Sequence, residues 1–345
     1  HVEIIESFDL GDFDASAKIS GHGFYYLKGD LASLNRALIN FAVDFMEKKG
    51  YDYIEPPLMV KKRVEMAKGD FKAFENAKRI GAAAIQIFGS SPQQWSVRLP
   101  KEEVVKKFKS AHRESGNIPV YLHASYLANL ASPNEITRAN ALQSLTGHLK
   151  IAEIIGAQGL IFHIGSAVSS KALAEEERSA KEDAVQFVVK GCQQILKNVP
   201  GKTQLILENS SAGGAKLGAT ADEIGKVLKQ IKSPRAKVCF DTAHAFEAGN
   251  IEYDAIEKIK KVFDEWDKEV GLENIVAIHA NDSKTTFNSH NDRHENIGEG
   301  HIGSKGFQNL AKEKRLHNKV WLLEVPGFDG SGPDKKNIEI LKSCF

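Results

Sequence analysis

Cysteine is scarce in this chain: Cys192, Cys239 and Cys344 are the 3 in 345 residues. They stand singly, which argues against both a disulfide framework and a CxxC zinc site. A reducing, cytoplasmic setting is the expectation. Long apolar runs are missing too. Nothing approaches the roughly eighteen consecutive apolar residues of a membrane span, and the first residues lack a basic-then-apolar signal layout, so no membrane partner is expected. An excess of charge is also lacking, since 46 Lys+Arg against 45 Asp+Glu leave +1. A nucleic-acid partner would have to be held by a local patch or by bound cations. With 42% hydrophobic and 26% charged residues, the chain reads as globular, with one large or two ordinary domains.

What the sequence does have is a set of short apolar runs that stop on metal-capable side chains. "IPVYLHASY" ends its run at His123, "GLIFHIGS" at His163 and "TQLILENS" at Glu208. "KVCFDTAH" ends at Asp241, "IVAIHANDS" at His279 and "KVWLLEVPG" at Glu324. The successive intervals are 40, 45, 33, 38 and 45 residues. An earlier run, "AAAIQIFGS", ends near Phe88 without a ligand-type residue.

Helix signals lie between the runs. Ser132-Pro133-Asn134-Glu135 reads as a capping box with proline at the first helical position. It opens an amphipathic stretch to about Ile155, with Ile136, Leu142, Leu145, Leu149 and Ile151 on the apolar face. Further helices are expected at 172–198, 221–231, 253–268 and 304–314. Strand-helix alternation implies a parallel sheet, and continuous apolar strands imply a sheet covered on both faces. The repeated units have the size of a TIM barrel, in which all strand C-termini open on one face. Six strand-end ligands would converge there.

A single polar residue closing a strand is ordinarily a cap or a satisfied loop contact. Six in register are different, because buried carboxylates and imidazoles crowded together stay unpaired or repel unless a cation holds them. The mixture of His with Asp and Glu suits zinc, and also manganese or iron; the spacing leaves the metal open. The number of ligands points to a multinuclear site. Asp292 and His294, in the loop "NDRHENIGEGHIG", could clasp one metal together with His244. His290 and His301 read as solvated loop residues, and His22, His112, His148 and His317 as surface or structural ones.

The segments "VYLHASYLANLASP", "LIFHIGS", "LILENSSAGGAKLG", "VCFDTAHAFEAG", "IHANDSK", "DRHENIGEGHIG" and "LLEVPG" resemble, in order, the motifs of the endonuclease IV family of apurinic/apyrimidinic endonucleases. The resemblance runs from about Lys72 to the C-terminus. It implies a TIM barrel with three zinc ions: His123, His163 and Glu208 on the first; Glu208, bridging, with Asp241, His279 and Glu324 on the second; His244, Asp292 and His294 on the third. It implies cleavage of the phosphodiester 5′ to an abasic site in duplex DNA, leaving a 3′-hydroxyl and a 5′-deoxyribose phosphate, with Glu208 as the catalytic bridging carboxylate. Tyr126 and Leu127 match lesion-recognition positions. Gln93 stands in the "SSPQQW" loop, which keeps Trp95, where some members carry arginine. "FHIGSA" departs from the commoner FHPGSH at Ile164 and Ala167.

The N-terminus departs from this pattern. Family members begin with a strand resembling IGAHVS, and no such segment precedes "FKAFENAKRIGAAAIQIF". Residues 1–67 instead resemble a fragment of seryl-tRNA synthetase of the archaeal type around its first class II motif, with Leu31, Leu34, Leu38, Phe41 and Phe45 on one helical face. The expected architecture is therefore α/β: a TIM (β/α)8-type barrel over 68–345 lacking its own first strand, preceded by a helix-containing synthetase-like fragment over 1–67. The only extended candidate for the empty strand position is "YDYIEPPLMV", whose Pro56 and Pro57 limit pairing. A monomer is expected, with self-association through the fragment as an option. The alternatives to the nuclease are a sugar isomerase of the xylose isomerase-like barrel type and an inactive chimera. Only the first synthetase motif is present, so serine-dependent pyrophosphate exchange by the purified chain is expected to equal the blank; exchange clearly above it would refute the fragment reading.

Overall fold

The computed structural model describes residues 11–12, 26–49, 72–167 and 174–345. The chain divides into two units, 1–62 and 63–345. In the first, β1 (Gly11–Asp12) pairs antiparallel with β2 (Tyr26–Leu27), and α1 (Gly29–Glu47) follows. Leu34, Leu38, Phe41 and Phe45 of α1 form the expected stripe and are all exposed. "YDYIEPPLMV" and His22 lie outside the described residues.

The second unit alternates as its sequence pattern demands. Its elements are α2 (Lys72–Ile80), β3 (Ile85–Phe88), α3 (Glu102–Glu114), β4 (Val120–His123), α4 (Glu135–Ile155), β5 (Gly159–His163) and α5 (Ala174–Asn198). They continue with β6 (Gln204–Glu208), α6 (Ala221–Ile231), β7 (Ala236–Asp241), the short α7 (Thr242–Glu247), α8 (Ile256–Glu269) and β8 (Ile275–His279). A two-stranded ribbon, β9 (Asp282–Ser283) with β10 (His294–Glu295), leads to α9 (Gly303–Leu310), β11 (Val320–Leu322) and α10 (Lys335–Ser343). β3 to β8 and β11 make one 7-stranded parallel sheet in the order β11-β8-β7-β6-β5-β4-β3. This is a TIM-type barrel one strand short: among the described residues, no strand pairs with the outer edge of β3 or β11.

Two packed layers follow from the period of two along each strand. Residues facing the helices join the main core, from Phe74 and Phe108 through Leu160 and Phe162 to Phe240, Phe263 and Phe307. Residues facing inward form a second cluster: Tyr121, Ile161, Ile206, Cys239, Ala277 and Leu322. Each lies two positions before His123, His163, Glu208, Asp241, His279 or Glu324. The barrel interior is therefore an apolar floor, and the six polar strand ends stand directly on it.

Register decides which ends meet. His163 lies opposite Glu208, and Asp241 lies opposite His279. The second pairing depends on an irregularity. Val238 pairs with Ile275 but Cys239 pairs with Ala277, so one residue of β8 is skipped. Without that bulge Asp241 would stand level with Ile278, an apolar core residue. The bulge re-aims a strand end, as bulges near active sites do.

The start of α4 differs from the capping-box expectation. Asn134 is the N-cap, its side chain accepting from Thr137 N at 3.0 Å, while Ser132 Oγ accepts from Asn134 N. Pro133 thus precedes the cap instead of opening the helix. Ile136 is exposed, because the true face is set by Leu145, Leu149 and Ile151, all fully buried. No helix among the described residues is long and apolar enough to cross a membrane.

His148 of α4 is a buried structural residue. Its Nδ1–H donates to Ser144 O at 2.8 Å, so Nε2 accepts from Ser90 Oγ at 3.0 Å. This ties the loop after β3 to α4. Burial holds the His148 pKa below the ordinary 6.5. On acidification the unfolded chain takes up this proton first, so stability present above about pH 6.5 is lost as the pH falls below it. His148→Gln is expected to flatten the loss of unfolding free energy between about pH 7 and pH 5, measured by denaturant titration; an unchanged slope would contradict this account.

Candidate metal centre

The centre is built on Glu208, the last residue of β6, which has no exposed surface. Its two oxygens face different partners. Oε2 lies 3.2 Å from His123 Nε2 and 3.6 Å from His163 Nε2. Oε1 lies 2.8 Å from His279 Nδ1 and 3.5 Å from His244 Nδ1. Burial alone would raise the Glu208 pKa, but His279, His163 and His123 outweigh it and hold the carboxyl well below its usual range. The carboxylate is charged and needs positive charge on both sides.

Asp241 has two tasks as well. Its Oδ1 caps α7, accepting from His244 N at 2.7 Å. Its Oδ2 faces His279 Nδ1 at 3.7 Å and His294 Nε2 at 3.9 Å. The cap carries His244 into the site one helical turn later. Asp292 reaches His244 Nε2 at 3.2 Å and His294 Nε2 at 3.5 Å. Burial would lower the His244 pKa, yet Asp241, Asp292 and Glu208 raise it well above the ordinary value. His163 goes the other way: burial keeps it below 6.5 and therefore neutral near pH 7.

Ligand atoms converge in three groups, each within 4.8 Å: His123, His163 and Glu208; Glu208, Asp241, His279 and Glu324; and Asp241, His244 and His294. Glu208 belongs to two groups, the sharing that the family resemblance implies, and so does Asp241, which the sequence placed in one group only. All nine sequence-derived ligands therefore lie at one mouth of the barrel, with Asp292 beside the third group. The donor chemistry fits cations. His123 Nδ1–H donates to Ala124 O at 2.9 Å, and His244 Nδ1–H donates to Asn209 O at 2.8 Å. In each ring this turns Nε2 toward the carboxylates. Buried Nε2 atoms of His244 and His294 have no hydrogen-bond partner. Imidazoles fixed from behind, with the other nitrogen aimed at a carboxylate cluster, are the arrangement of metal-ligating histidines.

Supporting residues absent from the sequence reading stand within 3 positions of a candidate ligand in the chain. Asn209 Oδ1 accepts from Asp241 N at 2.6 Å, and its Nδ2 donates to Asp241 O. Asn281 Nδ2 donates to Asp241 Oδ2 at 2.6 Å, and its Oδ1 accepts from Glu324 N at 2.8 Å. The Asp282 carboxylate gathers the N–H groups of Gly298, Gly300, Ile302 and Gly303. A Cβ at Gly300 would collide with that carboxylate, so glycine is required there. Buried Glu247 accepts from Ser283 Oγ at 2.8 Å and Arg293 N at 3.2 Å, which pins the loop bearing Asp292 and His294. The sequence signal was available in "LENS" and "HANDS", where a polar residue directly follows each strand-end ligand or stands two places beyond it.

At the rim, Tyr126 and Leu127 are exposed, and the Tyr126 ring lies 5.8 Å from that of His123. Ser125 Oγ donates to Pro92 O at 2.7 Å, joining this loop to the one that carries exposed Gln93. Ile164 and Ala167 are buried in the core. His290, His301 and His317 are exposed, as expected of solvated side chains.

The family description "Xylose isomerase-like TIM barrel" matches residues 74–344. "Probable endonuclease 4" of Persephonella marina is 36% identical over 270 residues, 78% of this chain and 90% of that protein. The protein of the same name from Halothermothrix orenii is 31% identical, across 81% of this chain and 98% of its own length. The chain belongs to the endonuclease IV family. The structure of endonuclease IV from Thermus thermophilus superposes with a TM-score of 0.67 at 29% identity, covering 82% of this chain and 98% of that one. A D-tagatose 3-epimerase-like protein superposes at 0.60 with 18% identity, a likeness of fold alone.

Because Glu208 serves two groups and faces four histidines, Glu208→Gln is expected to lower the metal retained after dialysis more than substitution of any ligand that serves one group, read by elemental analysis. A larger loss from Glu324→Gln would contradict the sharing geometry.

Proposed function

We propose that this chain is a zinc-dependent apurinic/apyrimidinic endonuclease that cleaves duplex DNA on the 5′ side of an abasic site. The observation that supports this reading best is the set of three ligand groups joined by Glu208 and Asp241 at the mouth of the barrel. His123, His163 and Glu208 would hold the first zinc; Glu208, Asp241, His279 and Glu324 the second; His244, Asp292 and His294 the third. Zinc bound there supplies an activated water and neutralises phosphate charge. Water adds to phosphorus, the bond from phosphorus to the 3′ oxygen breaks, and the products are a 3′-hydroxyl and a 5′-deoxyribose phosphate.

The chain's own residues hold and orient. Asn209 fixes the Asp241 backbone, Asn281 fixes its carboxylate, and Glu247 fixes the loop of Asp292 and His294. No side-chain nucleophile is required: Cys239 lies beneath the centre, and burial pushes its thiol up to about 12. Exposed Tyr126 and Leu127 would wedge into a duplex at a site where a base is missing, and Gln93 would meet the strand beside it. A chain of net charge +1 would rely on the bound cations for much of its attraction to DNA. Residues 1–67 are read as the synthetase-like fragment and 68–345 as the nuclease, on sequence resemblance; a cytoplasmic monomer completes the proposal.

The test is incubation of the metal-analysed full chain with a duplex carrying one abasic analogue. About three zinc ions per chain are expected, together with a single nick on the 5′ side of the lesion whose 3′ end a polymerase can extend. Zinc at or below about one per chain would sink the trinuclear reading, and an intact duplex in the presence of full zinc would sink the nuclease reading.

A further inference from the structure

Gln86 lies on β3, the strand whose sequence run carries no ligand-type residue at its end. It stands level with Tyr121 in the parallel register, at the height of the apolar floor. From there its amide reaches two ligands on the far side of the strand gap. Nε2 donates to Glu324 Oε1 at 2.5 Å, and Oε1 lies 2.8 Å from His279 Nε2. The orientation of the amide is dictated, because a carboxylate oxygen accepts and must meet the NH2 group. Gln86 Oε1 can then only accept, so His279 carries its proton on Nε2. Its Nδ1 faces Glu208 Oε1 (2.8 Å), Glu324 Oε2 (3.2 Å) and Asp241 Oδ2 (3.7 Å), so Nδ1 is the nitrogen that would give up its proton and ligate when a metal ion binds among these oxygens.

We propose that Gln86 is a positioning residue for the second metal group: one amide selects the tautomer of His279 and the oxygen of Glu324 that face the ion, and links β3 to β11 where their backbones share no hydrogen bond. The proposal rests on the trinuclear reading above. Leucine or methionine at this position would fill the space but release the His279 ring and the Glu324 carboxylate. Glutamate would keep the acceptor for His279 but set a second carboxylate against Glu324.

The test uses the full-length zinc-loaded chain with Gln86→Met and Gln86→Glu, and competition with a chromogenic chelator. Loss of such an outer partner typically weakens metal binding by about 10–100-fold. Gln86→Met is therefore expected to release one zinc at about 10–100-fold lower chelator than the parent, while the zinc held by His123 and His163 stays in place. Selective 15N-histidine labelling supplies a second readout. The parent should show a slowly exchanging Nε2–H of His279, identified by its loss in His279→Asn, and Gln86→Met should show fast exchange there. If Gln86→Met does not fold, Gln86→Glu, of equal size, decides by the same measurements, with zinc release again earlier than in the parent. Parent-like zinc retention and a protected Nε2–H in the folded variant would overturn the assignment of Gln86 alone. A parent chain that holds at most one zinc would overturn the trinuclear reading, and this assignment with it.

Discussion

A carboxylate with no access to water and imidazoles on every open side is the constraint on which this barrel depends. Burial works against the charge on Glu208, and the neighbouring histidines prevail. A buried negative group of this kind is tolerable only with positive charge held against it, as protons on the rings or as metal ions. Asp241 repeats the problem one strand further on. Sharing two carboxylates among three groups limits the negative charge that must be buried per cation. The asparagines that follow the ligands then take up the remaining lone pairs and N–H groups.

Much of this is legible in the chain itself, because parallel barrel strands are short, apolar throughout and open on one face. A His, Asp or Glu at the end of such a run can point only to the mouth, so six of the candidate ligands can be read from strand ends. His244 follows from Asp241 through the one-turn spacing of a capped helix. Asp292 and His294 are harder, since they come from a loop whose fold depends on Glu247 and the β9–β10 ribbon.

Other features have no local signature. The bulge at Val238/Cys239 is a relation between two strands, and either strand alone reads as regular. Gln86 sits inside an apolar run two residues before its end, where a polar side chain looks like an imperfection until its partners on β8 and beyond β11 are in place. The first turn of α4 misleads for a different reason. Ser132 and Asn134 are both good caps, both are used, and only the backbone geometry decides that the helix starts after the second. That shift is why Ile136 points to solvent.

The apolar floor closes the centre from below. Tyr121, Ile161, Ile206, Cys239, Ala277 and Leu322 close the barrel beneath the ligands, so small ions and chelators have no passage through that plug. Any metal that enters or leaves through the mouth between the rim loops passes the same opening that a large ligand would cover. Occupancy of the mouth therefore slows the exchange of any ion below it: a chain seated on its ligand should lose metal to a scavenger more slowly than the free chain, with no change in the strength of any coordinate bond.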